Sequence, residues 1–164
     1  MLYVLLLAVL IGLDQWLKYW TVSHLVLEEP KDFIPGVVEL WHRQNDGAGW
    51  SILSGKTAVL LVVTIVLMLG VVILLIKKIV RHPMGVTACT LILGGGIGNM
   101  IDRIRQGYVV DMLHFQFMPS FPIFNLADCF VVVGAILGAV YYLWLYDKVD
   151  KKEKPHASDA DGNN

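Results

Sequence analysis

The feature that most constrains this chain is the stretch Thr57–Ile76, TAVLLVVTIVLMLGVVILLI, twenty residues without a charge. A helix of that length crosses the hydrocarbon core of a bilayer, and no soluble domain of ordinary composition hides such a segment. Three further runs are long and apolar enough to join it, at about 1–20, 84–104 and 125–146. With 56% hydrophobic and 16% charged residues, the whole chain reads as a small integral membrane protein with four transmembrane helices. Residues 1–150 form one domain on this reading, and 151–164, charged and then small and polar, form a disordered tail. The first run lacks a basic leading region and a small-residue cleavage site, so it reads as a retained helix rather than a removed leader.

The formal net charge of -1 gives no electrostatic case for nucleic acid. The five histidines are scattered, with no Cys/His cluster at zinc spacing, and no metal is expected. Cys89 and Cys129 lie inside apolar runs and read as packing residues. The string GGGIG (94–98) lacks the Lys-Ser/Thr of a phosphate loop and sits in a span. Gly94 with Gly98, and Gly134 with Gly138, instead have the spacing of close helix packing.

Loop charge sets the orientation. Lys77, Lys78 and Arg81 follow the second run, and Lys148, Lys151, Lys152 and Lys154 follow the fourth. The first long loop has only Lys31, Arg43 and Lys56, and residues 107–122 have no lysine or arginine. The positive-inside rule then places both termini in the cytoplasm and Asn45, Asp111 and Asp128 on the outer side. The polar groups at the outer ends of the spans are functional candidates, because ionisable side chains are costly there.

Asp111 and Asp128 stand seventeen residues apart across a connector containing Pro119 and Pro122. Two carboxylates in a site of low dielectric share one proton, and such a pair can activate a water and protonate a carbonyl or a leaving amine. Spacing alone leaves a structural reading open: Asp128 as a helix cap, Asp111 as a solvated loop residue. Ser51, Ser54 and His114 have no evident orienting partner for nucleophilic catalysis. Arg103 is a headgroup anchor or a substrate-positioning group. Asn99 and Asn125 suit a helix end or an extended peptide. Asp102 reads as the partner of an arginine or a backbone donor. Asp14 and Lys18, four apart on one helical face, read as a structural pair at the interface, with Lys18 snorkelling and Trp16, Tyr19 and Trp20 as belt residues. A second aromatic belt closes the fourth run. VVELWHR and YVVDMLHF have the β-branched, aromatic character of short strands, and NDGAGWS (45–51) that of a loop.

These residues together resemble the lipoprotein signal peptidases, or signal peptidase II, bacterial membrane aspartyl proteases. The resemblance is carried by Asp14 with Lys18, Asn45-Asp46-Gly47-Ala48, Gly98-Asn99 with Asp102-Arg103, Val109-Val110-Asp111, and Phe124-Asn125-Leu126-Ala127-Asp128, in that order across most of the chain. It implies an all-α membrane fold with a small extracytoplasmic sheet, strands 37–43 and 108–115, that cradles substrate. It implies Asp111 and Asp128 as the catalytic pair, Asn45, Asn99, Arg103 and Asn125 at the substrate, and Asp14, Lys18 and Asp102 as structural support. The implied substrate is a prolipoprotein whose lipobox cysteine carries a diacylglyceryl group, cut before that cysteine, in the bacterial cytoplasmic membrane. Globomycin sensitivity, no metal or organic cofactor, and a monomer among membrane lipids are expected with it. Gly49 and Trp50 depart from the family's usual N.GAAFS, and Met112 stands where phenylalanine is common. A lipobox-like string, Val86–Cys89, falls inside the third span and reads as chance. A proton- or ion-coupled carrier and a lipid-binding scaffold are the competing readings. The carrier gains nothing from this chain, which has no inverted repeat.

Overall fold

The computed structural model describes residues 1–48 and 52–150. The elements run α1 (Leu2–His24), β1 (Lys31–Ile34), β2 (Val38–Asn45), α2 (Thr57–Ile76), α3 (Pro83–Gln106), β3 (Val109–Phe115), α4 (Leu126–Trp144) and α5 (Tyr146–Val149). Among the described residues, α1 to α4 are each long and apolar enough to cross a membrane. In hydrocarbon a helix satisfies every backbone group within itself, which is why each apolar run folds this way. α1 and α3 continue beyond the expected spans, α1 by about one turn to His24.

Half of the most apolar stretch of α3 is buried inside the protein, against 6% of that of α2. α3 is therefore the central helix, and its glycines explain how it fills that place. A Cβ on Gly94 would lie 3.0 Å from Leu10 Cβ of α1, one on Gly96 2.4 Å from Met68 Sδ of α2, and one on Gly95 2.2 Å from the Ala127 carbonyl oxygen of α4. The glycine run thus lets three helices approach at once, beyond the single Gly94/Gly98 face read from spacing. On α4, Gly134 is tight, with the Ala88 carbonyl oxygen 2.9 Å from its would-be Cβ. Gly138 is not: the nearest atom there is 3.8 Å away, an ordinary contact, so the expected second packing pair reduces to Gly134 alone.

α3 starts at Pro83 behind His82, whose Nδ1 accepts the Met84 N–H at 3.2 Å. It ends at Gly107, where φ is +84° and the N–H bonds Arg103 O, the left-handed stop that glycine adopts without a Cβ clash. β3 follows directly, so the C-terminal end of α3 and the strand carrying Asp111 are joined by two residues.

The sheet is antiparallel in the order β1-β2-β3. β1 is an exposed edge that the sequence reading omitted. β2 reaches Asn45, two residues past the expected end. Its register against β3 slips between Leu40↔Leu113 and Arg43↔Asp111, three steps facing two, so a bulge at Trp41–His42 re-aims the end of the strand. Beyond β3 the proline-containing connector folds back. Phe124 N–H donates to Leu113 O at 2.9 Å, and Met112 and Leu113 N–H both donate to Phe124 O. The rings of Phe117, Phe121 and Phe124 pack on Phe115, with centroids 5.0–5.7 Å apart.

One expectation at the α4 end is corrected. Tyr142 and Trp144 are exposed as belt residues, but Tyr141 is buried and its hydroxyl bonds Asp150. Asp150 also accepts the N–H groups of Arg81 and His82 at 3.0 and 3.3 Å, which ties the end of α5 to the start of α3. The expected tail, 151–164, lies outside the described residues.

Candidate active site

The late turns of α1 and α3, the start of α4, the end of β2 and the start of β3 meet at one end of the bundle. They bring together Lys18, Asn45, Asn99, Arg103, Asp111, Asn125 and Asp128. The start of α4 sets the arrangement. Asn125 is its N-cap and Asp128 its third residue, and they form a reciprocal capping box: Asn125 Oδ1 accepts Asp128 N–H, and Asp128 Oδ2 accepts Asn125 N–H. The capping alternative for Asp128 is thus realised, and it uses only one of the two carboxylate oxygens. The other, Oδ1, accepts Asn99 Nδ2 at 2.8 Å.

Asp111, 2% exposed, is held in the same way from the sheet side. Asn45 Nδ2 donates to its Oδ2 at 2.8 Å and Asn125 Nδ2 to its Oδ1 at 2.6 Å. Asn125 therefore touches both aspartates, one through its side chain and one through its backbone. The three asparagines share a logic. Each has its carbonyl oxygen taken by another donor, Gly47 N–H for Asn45, Asp128 N–H for Asn125, and Lys18 Nζ with Asn125 Nδ2 for Asn99. Each thereby turns its NH₂ toward a carboxylate.

Burial, and next the negative charge of Asp128, push the Asp111 carboxyl up to about 7, against the two amide donors that favour its ionised form. The pair therefore carries a proton in the range where an ordinary aspartate has none.

Lys18 corrects the interfacial reading. Its side chain is buried, with Nζ 2.9 Å from Asp14 Oδ2, 3.1 Å from Asp102 Oδ2 and 2.8 Å from Asn99 Oδ1. Two carboxylates and an amide oxygen use its three N–H groups, so it turns inward instead of snorkelling. Trp16 and Tyr19 are exposed, as a belt requires. Asp102 takes this lysine rather than an arginine, together with the Val110 N–H at 3.2 Å. Asp14 Oδ1 accepts the Ala127 N–H of α4 at 3.0 Å, and a Cβ on Gly98 would lie 2.5 Å from its other oxygen. Gln15, overlooked in the sequence, donates to Asp102 at 2.9 Å and to Gly98 O at 3.2 Å. Its only signal was a second polar residue beside Asp14 in an apolar helix.

Arg103 Nη2 donates to Gly47 O at 2.8 Å and ties the residues just after β2 to α3. Asp46 accepts from Ser54 Oγ and Gly55 N–H, which hold its carboxyl below the usual range. The departures at Gly49 and Trp50, like Ser51, lie outside the described residues. Met112 is buried between sheet and connector, a packing position. His114 has the partner the sequence did not reveal: its Nδ1 lies 2.7 Å from Glu39 Oε1.

Two cavities meet at Asn45 and Asp111. One, about 550 Å³, contains both aspartates and has Leu60 and Val63 of α2 and Val132 of α4 among its apolar walls. The other, about 470 Å³, is bounded by Trp41, Arg43, Asp46 and His114. Paired carboxylates at the junction of an apolar chamber and one of mixed lining, at the end of a membrane bundle, are suited to hydrolysis of a bond beside an apolar group.

The sequence profile of the family described as Signal peptidase (SPase) II matches residues 6–144. The chain belongs to the signal peptidase II family. It is accordingly a membrane-bound protease of the aspartic type. A lipoprotein signal peptidase of Enterococcus faecalis is 46% identical over 152 residues, covering 93% of each chain. One from Streptococcus pyogenes serotype M2 is 47% identical over 147 residues, covering 87% of this chain and 93% of that protein. A solved structure described as a bacterial membrane enzyme superposes with a TM-score of 0.80 at 32% identity, covering 93% of this chain and 92% of its own.

Proposed function

We propose that Asp111 and Asp128 are the catalytic pair, and that the substrate is a prolipoprotein bearing a diacylglyceryl group on its lipobox cysteine, cut on the N-terminal side of that residue. Removal of the signal peptide from prolipoproteins is the activity of the family to which the chain belongs. The observation that carries the residue assignment is Asn125, which fastens one oxygen of each aspartate, at 2.6 Å to Asp111 and 3.2 Å to Asp128.

The pair holds one proton. Its ionised member takes a proton from a water whose oxygen attacks the carbonyl carbon preceding the cysteine, while the protonated member donates to the carbonyl oxygen. The tetrahedral intermediate then collapses. The C–N bond breaks, the cysteine nitrogen leaves with a proton, and the pair returns to one proton. The apolar chamber beside Leu60, Val63 and Val132 receives the lipid-bearing side and the mixed chamber beside Trp41 and His114 the peptide. Asn45, Asn99 and Asn125 hold the carboxylates, and Arg103 holds the Gly47 carbonyl just after β2.

The site faces outward from the bacterial cytoplasmic membrane, with both termini in the cytoplasm. The charge of the Lys77–Arg81 loop at the opposite end from the aspartates supports this orientation. The enzyme works as a monomer among membrane lipids.

The pH profile tests the pair. Because Asp111 is raised to about 7, the singly protonated pair is populated below that pH and lost above it. Cleavage of a lipidated prolipoprotein by the detergent-purified enzyme should therefore show kcat/KM falling as pH rises through about 7. A rate unchanged to pH 9 contradicts the assignment.

A further inference from the structure

We infer that Lys18 is a positioning residue for cleavage: it fixes the carboxamide of Asn99 so that the amide N–H, and not the carbonyl oxygen, faces Asp128. The inference rests on the reading of Asp111 and Asp128 as the catalytic pair and assigns Lys18 a role beyond support of the bundle.

Three asparagines surround the aspartates. A carboxamide is nearly symmetric in shape, so only its partners decide which end points where. For Asn45 the decision is local: Gly47 N–H, two residues on, takes Oδ1 at 2.9 Å. For Asn125 it is also local, since Asp128 N–H is an unsatisfied donor of the first helical turn and takes Oδ1 at 3.0 Å. Asn99 has no such resource. It lies well inside α3, where backbone N–H groups are already bonded along the helix. Its Oδ1 needs a donor from elsewhere, and Lys18 Nζ supplies it at 2.8 Å, with Asn125 Nδ2 at 3.1 Å as the second. The amide then donates to Asp128 Oδ1 at 2.8 Å. In the reversed orientation, Asn99 Oδ1 would face the Asp128 oxygen and its NH₂ would face the Lys18 ammonium, so both contacts would become repulsive.

The ammonium is itself held for this task. Asp14 and Asp102 take its other two N–H groups, Gln15 braces Asp102, and Asp14 is anchored to the Ala127 N–H at the start of α4. A lysine needed only to neutralise the bundle would require the two carboxylates. The third contact, to a neutral amide that touches Asp128, is the one that this role explains.

A double-mutant cycle of Lys18→Met and Asn99→Ala tests it, with kcat and KM measured on a lipidated prolipoprotein. Each single change should lower kcat roughly 30-fold with KM within about twofold, and the double should be no more than about threefold worse than Asn99→Ala alone. Lys18→Met leaves two buried carboxylates without a cation, so the same cycle is run in an Asp102→Asn background, which removes one of those charges. Losses that multiply to roughly 10³-fold, or that fall on KM, overturn the inference. Asp128→Asn measured alongside separates the two levels. A dead Asp128→Asn with multiplying losses rejects only the role of Lys18, whereas an active Asp128→Asn rejects the catalytic pair itself.

Discussion

Asparagine at Asp111 or at Asp128 is expected to lower kcat/KM for a lipidated prolipoprotein by at least about 10³-fold, with the helical fold retained. The size follows from what is lost. An amide neither takes a proton from water nor carries the shared proton to the carbonyl oxygen, so the remaining partner is left without its counterpart. The fold survives because the change is nearly isosteric. At 128 the new carbonyl oxygen can still accept the Asn125 N–H that closes the capping box. One amide contact is lost at each site, from Asn99 to residue 128 or from Asn45 or Asn125 to residue 111, a cost of about 1–3 kcal/mol. Circular dichroism and elution volume separate that modest loss from unfolding. Near-normal cleavage by either variant would remove the aspartates from the chemistry and reopen the carrier and scaffold readings.

Gly95→Ala should also lower activity, by less and for a different reason. The added methyl would lie 2.2 Å from the Ala127 carbonyl oxygen and 2.7 Å from Val131 Cγ2. The first neighbour is backbone and cannot rotate away, so α3 and α4 must separate. Ala127 is flanked by Leu126 and Asp128, within the capping turn, so the movement falls on the bonds from Asn99 to Asp128 and from Asn125 to Asp111. Overpacking of this kind costs about 1–3 kcal/mol, and the displaced carboxylates should lower kcat more than tenfold. Gly138→Ala is the matched control. It meets only Ala88 Cβ at 3.8 Å and should leave thermal stability and turnover unchanged. Equal effects from the two substitutions would show that the close α3–α4 approach does not set the site.

The spans were legible because the bilayer leaves an apolar run of twenty residues no alternative to a helix. Convergence of Asp111 and Asp128 was legible from span count and from the short connector between them. What stayed hidden depends on partners distant in sequence. Lys18 looked interfacial because Asn99 and Asp102, more than eighty residues away, are invisible from its own helix. Gly95 and Gly96 looked redundant beside Gly94 and Gly98, since nothing local says that α3 has neighbours on three sides. Tyr141 resembled its belt neighbours until Asp150 gave its hydroxyl a buried acceptor. β1 went unread because KDFI is short and exposed and takes its order from pairing with β2. The amide orientations around the aspartates follow from backbone N–H groups and one ammonium, and no residue pattern encodes them.

The most direct test of the central claim is a single turnover on a diacylglyceryl-modified prolipoprotein in H₂¹⁸O, with products and enzyme followed by mass spectrometry. Attack by a water held between two aspartates predicts one ¹⁸O in the new C-terminal carboxylate of the released signal peptide. It also predicts a lipidated cysteine with a free amine, and no peptide attached to the enzyme at any time. A covalent enzyme–peptide adduct, or cleavage at another bond, would contradict it.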